Sequence, residues 1–215
     1  TGFAIAVATG FLLHLLMDYF NSYGIHPFYP FDARWLYGDM VFIVEPVFWT
    51  AFGVPLAMMV VRKKFRLLLL GVLMAAPIAF AATRHLAPAS AAMLLGLGAA
   101  LGLLQHRAGP RGRRALLAAF ALSAAFVLVQ WGASAHGKRV VAAHLRTLDP
   151  GARSVDLAMS PFPANPLCWS FVSIERDDGG RYFRLRRGVL GLAPGPQAAA
   201  ACPAFPGAAA FVDRI

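Results

Sequence analysis

Charged side chains are scarce in this chain of 215 residues: Asp, Glu, Lys and Arg make up 14% of it, whereas 59% of the residues are hydrophobic. Soluble globular domains carry about 25% charged residues, so the composition excludes an ordinary soluble domain. The apolar residues form five runs, at about 2–20, 41–61, 67–83, 89–105 and 115–135. Each run is near the length that crosses roughly 30 Å of hydrocarbon. We therefore predict an all-α polytopic membrane domain of about five transmembrane helices over residues 1–135.

Other absences narrow the catalytic mechanisms and binding partners that the sequence supports. The chain has no GxSxG motif, and neither of its two cysteines lies near a histidine in the sequence. These absences mean that the sequence gives no support to catalysis by a serine or cysteine nucleophile. The net charge is +10, but the Lys and Arg runs flank the apolar segments. Such runs normally set membrane topology and contact lipid headgroups, so we predict no nucleic-acid partner.

Carboxylates are the rarest chemical group in the membrane half. The first 135 residues contain four of them, Asp18, Asp32, Asp39 and Glu45, and all four lie between His14 and Pro46. Chance would scatter them. We therefore interpret this stretch as the one around which the rest of the chain is organised.

The first polar pair is His14 and Asp18, four residues apart in a predicted apolar helix, so both side chains project from one face. An imidazole and a carboxylate are costly in an apolar segment unless they pair, face water or bind a cation. Both are ligand types that Zn and similar divalent ions accept. The alternative interpretation is an ion pair that fixes helix packing.

Several motifs in this stretch resemble those of one known family. HxxxD from His14 to Asp18 is followed by NSYG at 21–24, PF at 27–28 and GDxxFIVEP from Gly38 to Pro46. This pattern resembles the signature of the YdjM-like family of predicted membrane-bound, metal-dependent hydrolases. A second piece, PFPANPLCW from Pro161 to Trp169, is similar to a P-x-P-x-N-P-x-x-W element in the tail of that family.

The resemblance implies a function and a set of site residues. It implies a hydrolase with a divalent metal ion, zinc with manganese as the alternative, bound by His14, Asp18 and Asp39. Glu45 and Asp39 are the predicted catalytic carboxylates. An H-R-x-x-T-H-S-like element that family members carry upstream of HxxxD has no counterpart here. We therefore expect an N-terminally truncated chain that lacks further histidine ligands.

The remaining polar residues of the stretch have structural interpretations. Asp39 could cap the second membrane helix, and Glu45 could face the helix bundle. Asp32 is predicted to be a loop residue paired with Arg34, and His26 a surface residue. NSYG is interpreted first as a helix-ending turn and second as a polar wall for substrate.

Basic residues in the short loops predict the orientation. RKKFR at 62–66 and HRAGPRGRR at 106–114 carry four Lys or Arg each, whereas the loops at 21–40 and 84–89 carry one each. The positive-inside rule then places the His14 to Glu45 stretch and the C-terminal tail on the non-cytoplasmic face. For a Gram-negative bacterium this predicts a multi-pass inner-membrane protein with its site in the periplasm.

The tail changes composition after about residue 136, so residues 136–215 are predicted to form a small, basic, extramembrane α+β domain. CWSFVSIERDDGGRYFRLRRGVL, at 168–190, predicts two strands joined at a DDGG turn. HGKRVVAAHLRTL, which leads into it, is predicted to be helical. Cys168 and Cys202 both lie in this domain, where a disulfide and two free thiols remain open alternatives.

The substrate is less clearly indicated. A site at the outer edge of a bilayer, beside aromatic residues and a basic tail, suits an amphiphile with a negatively charged head. We predict hydrolysis of an ester or phosphoester of a lipid or lipid-linked substrate. Two alternatives remain: a proton- or cation-coupled transporter that uses the same acids as a relay, and a non-enzymatic membrane scaffold.

Overall fold

A computed structural model describes residues 2–177, 179–180, 183–193, 199, 202–203 and 212–214. The five helices are α1 (Gly2–Phe20), α2 (Pro46–Met59), α3 (Lys63–Ala82), α4 (Pro88–Ala108) and α5 (Arg114–Leu148). The four strands are β1 (Arg153–Phe162), β2 (Asn165–Arg176), β3 (Phe183–Gly191) and β4 (Val212–Arg214). The predicted class, an apolar helical domain followed by a small sheet, is confirmed.

In the part of the chain that the structure describes, four helices, α1, α3, α4 and α5, are long and apolar enough to cross a membrane. The second predicted segment, 41–61, is helical only over Pro46–Met59. Fourteen residues of α-helix span roughly 21 Å, which is short of the hydrocarbon thickness. The helix begins late because Glu45 caps it and Pro46 occupies its first position.

Helices α2 to α5 pack around small residues. Gly98 of α4 approaches both neighbours: a Cβ there would lie 2.5 Å from Met74 Cε of α3 and 3.4 Å from Thr50 Cγ2 of α2. Gly102, one turn later, faces Val54 and Met58 of α2 at ordinary contact distance. The small-xxx-small pair therefore serves helix packing, as its spacing indicates.

Helix α5 joins the two halves of the molecule. It runs for 35 residues without interruption and passes through the predicted domain boundary at 135/136. Its C-terminal half packs on the sheet in a hydrophobic cluster that consists of Val141, Leu145, Met159, Trp169, Phe171 and Leu190. Gly137 allows the close approach, since a Cβ there would lie 2.7 Å from Met159 Cε.

The sheet has the order β1-β2-β3-β4, with the first three strands antiparallel and β4 parallel to β3. The predicted hairpin is β2 and β3, and its DDGG turn contains the described residues Asp177, Gly179 and Gly180. Strand β1 was not predicted, although it pairs with β2 along nearly its whole length. Cys168 and Cys202 form a disulfide with their Cα atoms 5.7 Å apart, which decides between the two predicted thiol states.

Helix α1 stands apart from this arrangement, because within the described chain none of its residues is buried. Its connection to the body is made by backbone at its C-terminal end. The Gly38 N–H donates to the Tyr19 carbonyl at 2.6 Å, and the Met40 and Val41 N–H groups donate to the Phe20 carbonyl at 2.8 and 2.9 Å.

Candidate functional site

His14 and Asp18 lie one above the other on α1. His14 Nε2 is 3.3 Å from Asp18 Oδ2, and the two side chains are 72% and 41% exposed. The helical spacing accounts for this contact. The pair is therefore formed within one element and needs nothing from the rest of the fold.

The turn after α1 is built by Asn21 and Gly24. The Asn21 Nδ2 donates to the Met17 carbonyl at 3.3 Å, and its Oδ1 accepts from the Tyr23 N–H at 2.7 Å. Gly24 has a φ of +73°, and a Cβ there would lie 2.4 Å from Trp35 Nε1. NSYG thus ends the helix, which confirms the first of its two interpretations.

The loop that follows folds back through an isolated bridge between Ile25 and Leu36. Asp32 forms an ion pair with Arg34 at 2.6 Å, as predicted, and Arg34 holds the pKa of that carboxyl below its usual range. His26 is exposed, and its ring meets Trp35 edge-on with centroids 3.9 Å apart. Neither Asp32 nor His26 joins the other predicted site residues.

Asp39 is completely buried and forms an ion pair with Lys138 of α5, with Nζ 2.7 Å from Oδ2. Its φ of +52° is in the left-handed region, where Asp is tolerated better than most residues. Burial raises the pKa of Asp39, while Lys138 and the Met159 N–H oppose that shift by stabilising the carboxylate. The ion pair with Lys138 therefore ties the loop to α5.

Tyr37 extends this contact to the sheet. Its hydroxyl donates to Asp156 Oδ1, which also accepts from the Leu157 N–H at 2.8 Å. Lys138 Nζ lies 5.7 Å from the centre of the Tyr37 ring. Burial and the Asp156 carboxylate raise the pKa of Tyr37 well above its usual range.

Glu45 lies just before α2, outside the candidate membrane spans, and is 2% exposed. Its Oε1 accepts from the Val47 N–H at 3.1 Å and from the Ala164 N–H, in the β1–β2 turn, at 3.0 Å. Its Oε2 is buried without a hydrogen-bond partner among the described residues. Burial raises the pKa of Glu45 to about 7, against these two hydrogen bonds.

The β1–β2 turn is held from two sides. Ala164, with a φ of +49°, donates to Glu45 and accepts at its carbonyl from Ser90 Oγ of α4 at 3.0 Å. The PFPANPLCW element therefore docks the sheet on the N-terminal ends of α2 and α4. The loop that ends at Glu45 and the tail therefore meet at one end of the molecule.

Two cavities lie at this end. The larger, of about 700 Å³, is bounded by α2, α3 and the β1–β2 turn and includes Phe42, Trp49, Pro77 and Phe162 in its lining. The smaller, of about 390 Å³, is lined by Ser22, Tyr23, Phe42, Ile43 and Ser160. Phe42 contributes to both linings.

Of the predicted metal ligands, the structure keeps His14 and Asp18 together, whereas the carboxylate of Asp39 contacts Lys138. No group of three or more His, Cys, Asp or Glu side chains suited to a metal ion occurs in the described part of the chain. The partners of Asp39 and Glu45 were not predicted. Lys138 is one of several basic residues of α5, so nothing in the sequence indicated that it would be the partner of Asp39.

Comparison with known proteins bears on the same stretch. Residues 1–88 match the family model of the YdjM inner membrane protein. The matched residues contain all four carboxylates of the membrane half and end at the first residue of α4, so Lys138 and Ala164 lie outside the match. Comparisons with curated proteins and with solved structures give no significant match. Together with the apolar helices, the match supports a multi-pass inner-membrane protein.

Proposed function

We propose that this protein is a membrane-bound, metal-dependent hydrolase that cleaves an ester or phosphoester of an amphiphilic, lipid-like substrate. The observation that carries the proposal is the His14–Asp18 pair, with ligand atoms 3.3 Å apart on an otherwise apolar helix. Such residues are costly in a bilayer unless they pair, face water or bind a cation, and these two hold ligand atoms on one exposed face. The proposed orientation, with this end in the periplasm, rests on the positive-inside rule.

The pair fits a divalent ion. Two ligand atoms at about 2.0–2.1 Å from a tetrahedral zinc ion lie about 3.3 Å from each other, which is the separation of His14 Nε2 and Asp18 Oδ2. A catalytic zinc needs a third protein ligand. Asp39 could supply it only by leaving Lys138, so we propose the pair as two ligands and a further residue as the third.

The carboxylates differ in what they could do during hydrolysis. A divalent ion held by the pair would supply an activated water and polarise the scissile group. Glu45 has one oxygen without a partner in the described chain and a pKa of about 7, which suits a group that accepts a proton near neutral pH. Asp39 is engaged by Lys138. We therefore favour Glu45 as the base and Asp39 as a residue that holds the loop.

The arrangement of acids also bears on the transporter alternative. A proton relay needs ionisable groups spread through the depth of the membrane. The four carboxylates of the membrane half instead lie in the last turn of α1 or in the loop between α1 and α2. This favours hydrolysis over a relay.

The test is the metal content of the purified full-length protein and of its His14→Ala and Asp18→Ala variants, measured by inductively coupled plasma mass spectrometry. We expect about one Zn or Mn ion per chain in the parent and loss of the ion from both variants. His26→Ala, which removes an exposed histidine of the adjacent loop, is the matched control and should keep the ion. A parent protein that carries no divalent ion after gentle purification would refute the proposal.

A further inference from the structure

The larger cavity is apolar and is lined in part by a candidate membrane span. Apart from Thr50 and His85, every described residue that lines it is apolar. Its wall on α3 includes Val72 and Phe80, which are 59% and 56% exposed on a helix that is a candidate membrane span. Ala76 and Pro77 lie between Val72 and Phe80 on α3 and also line the cavity. The lining therefore includes apolar residues that a lipid chain could reach from the side of α3.

Residues of the tail form one wall of this cavity, called the roof, and independent contacts hold it in place. It consists of Pro161, Phe162, Pro163 and Pro203. Ala164, next to Pro163, is bonded through its N–H to Glu45 and through its carbonyl to Ser90. Pro203 follows Cys202, which is disulfide-bonded to Cys168 of β2. These contacts keep the roof over the cavity.

The smaller cavity adds a polar compartment next to the apolar one. Its lining includes Ser22 and Ser160, whose hydroxyl oxygens are 3.0 Å apart, and Phe42 lines both cavities. Ser22 lies in the turn that follows α1, four residues after Asp18 of the proposed metal pair.

We propose that the two cavities together bind one phospholipid of the surrounding membrane, with an acyl chain in the larger cavity and the ester and phosphate groups beside Ser22 and Ser160. An apolar cavity of about 700 Å³ beside a more polar one that shares Phe42 matches an amphiphile, and its volume is within the range of small-molecule sites, roughly 300–1,000 Å³. Hydroxyl groups can donate to the ester and phosphate oxygens. The inference deepens the proposed function by naming its substrate class, and its catalytic meaning rests on that function.

The experiment uses the full-length protein in phosphatidylglycerol and phosphatidylcholine vesicles that contain a trace of phosphatidylcholine with a photoactivatable acyl chain. After illumination, labelled residues are mapped by mass spectrometry. We expect label on the α2 and α3 residues that line the cavity. Ala76→Trp, which fills it, should reduce that label about tenfold, equivalent to about 1.4 kcal/mol of binding free energy. Ala75→Trp adds the same bulk to an exposed neighbour outside the lining and should leave the label unchanged.

Equal labelling in the Ala75→Trp and Ala76→Trp variants, with both folded by circular dichroism, would overturn the proposal, because it would show ordinary boundary lipid. The same measurement on His14→Ala separates this inference from the proposed function, since lipid binding needs no metal. Retained cavity labelling in a parent protein without metal would support the lipid site and refute the hydrolase. Lost labelling with metal retained would refute the lipid site alone.

Discussion

Helix α1 and the body formed by α2 to α5 and the sheet use the same kind of residue in opposite ways. On α1, His14 and Asp18 are exposed and contact each other. In the body, Asp39 and Glu45 are 0% and 2% exposed, and each is held by a partner distant in the sequence, Lys138 and Ala164. The exposed pair has capacity left for a ligand, whereas the Asp39–Lys138 ion pair and one oxygen of Glu45 join elements of the body.

This difference teaches that a cluster of acids in the sequence need not be a cluster in space. A buried carboxylate must be compensated, and the fold does so with a cation for Asp39 and with two backbone N–H groups for Glu45. The contacts that join these elements are therefore made by the residues that the sequence predicts to be catalytic. Three predictions test whether the two regions differ in this way.

The largest expected effect is on the ion pair that connects the loop to α5. Lys138→Met leaves the carboxylate of Asp39 buried without its cation, so the free energy of unfolding should fall by roughly 3–4 kcal/mol, toward the lower end for a broken buried pair because Lys138 is 34% exposed. The double variant Asp39→Asn/Lys138→Met removes both charges and should recover most of the loss. Unfolding is followed by circular dichroism in detergent micelles.

Arg139→Met is the matched control for Lys138→Met. Arg139 is the exposed neighbour on α5, and its Nε donates within the helix to the Ala135 carbonyl at 3.3 Å. Its replacement should have little effect. Equal losses of stability in the Lys138 and Arg139 variants would mean that the buried pair does not join the two elements.

The next effect is a pH dependence that belongs to Glu45. Burial raises its pKa from 4.5 to about 7, so between these values the folded protein binds more protons than the unfolded chain. Stability from this group is complete below about pH 4.5 and falls as the pH rises through about 7, by on the order of 3 kcal/mol. Glu45→Gln should remove that fall and should be the more stable protein at pH 8.

The measurement for Glu45 is the unfolding midpoint of the parent and the variant from pH 4.5 to 8. Asp32→Asn is the control, because Arg34 holds the pKa of Asp32 below this range. The control should keep the pH profile of the parent. A Glu45→Gln profile that parallels that of the parent would show that Glu45 is not the titrating group.

The smallest expected effect is on α1. His14→Ala and Asp18→Ala each remove one member of an exposed i,i+4 pair, so the free energy of unfolding should change by at most about 0.5 kcal/mol while metal binding is lost. Leu16→Ala, an exposed apolar change on the same helix, is the control in chemical denaturation. A loss above about 2 kcal/mol for His14→Ala, with Leu16→Ala neutral, would mean that the pair stabilises the fold.

Local features followed well from the sequence. The contact of His14 with Asp18, the turn at Asn21 to Gly24 and the pairing of Asp32 with Arg34 depend on residues within four positions of one another. The β2–β3 hairpin was predictable because its turn signal lies between two alternating segments. Strand β1 was missed because RSVDLAMSPF gives no clear strand pattern, and pairing with β2 makes it a strand.

The sequence by itself determined the apolar helices, the hairpin and the polar pair on α1, since each depends on the period of a local pattern or on one turn of helix. The tertiary structure alone decided that Asp39 forms an ion pair with Lys138 and that Glu45 accepts a hydrogen bond from Ala164. It alone decided that Phe42 lines both cavities. These contacts join residues far apart in the chain, and no local spacing encodes which buried carboxylate meets which donor. Burial creates the need for a partner, and the packing of α5 and of the β1–β2 turn provides it.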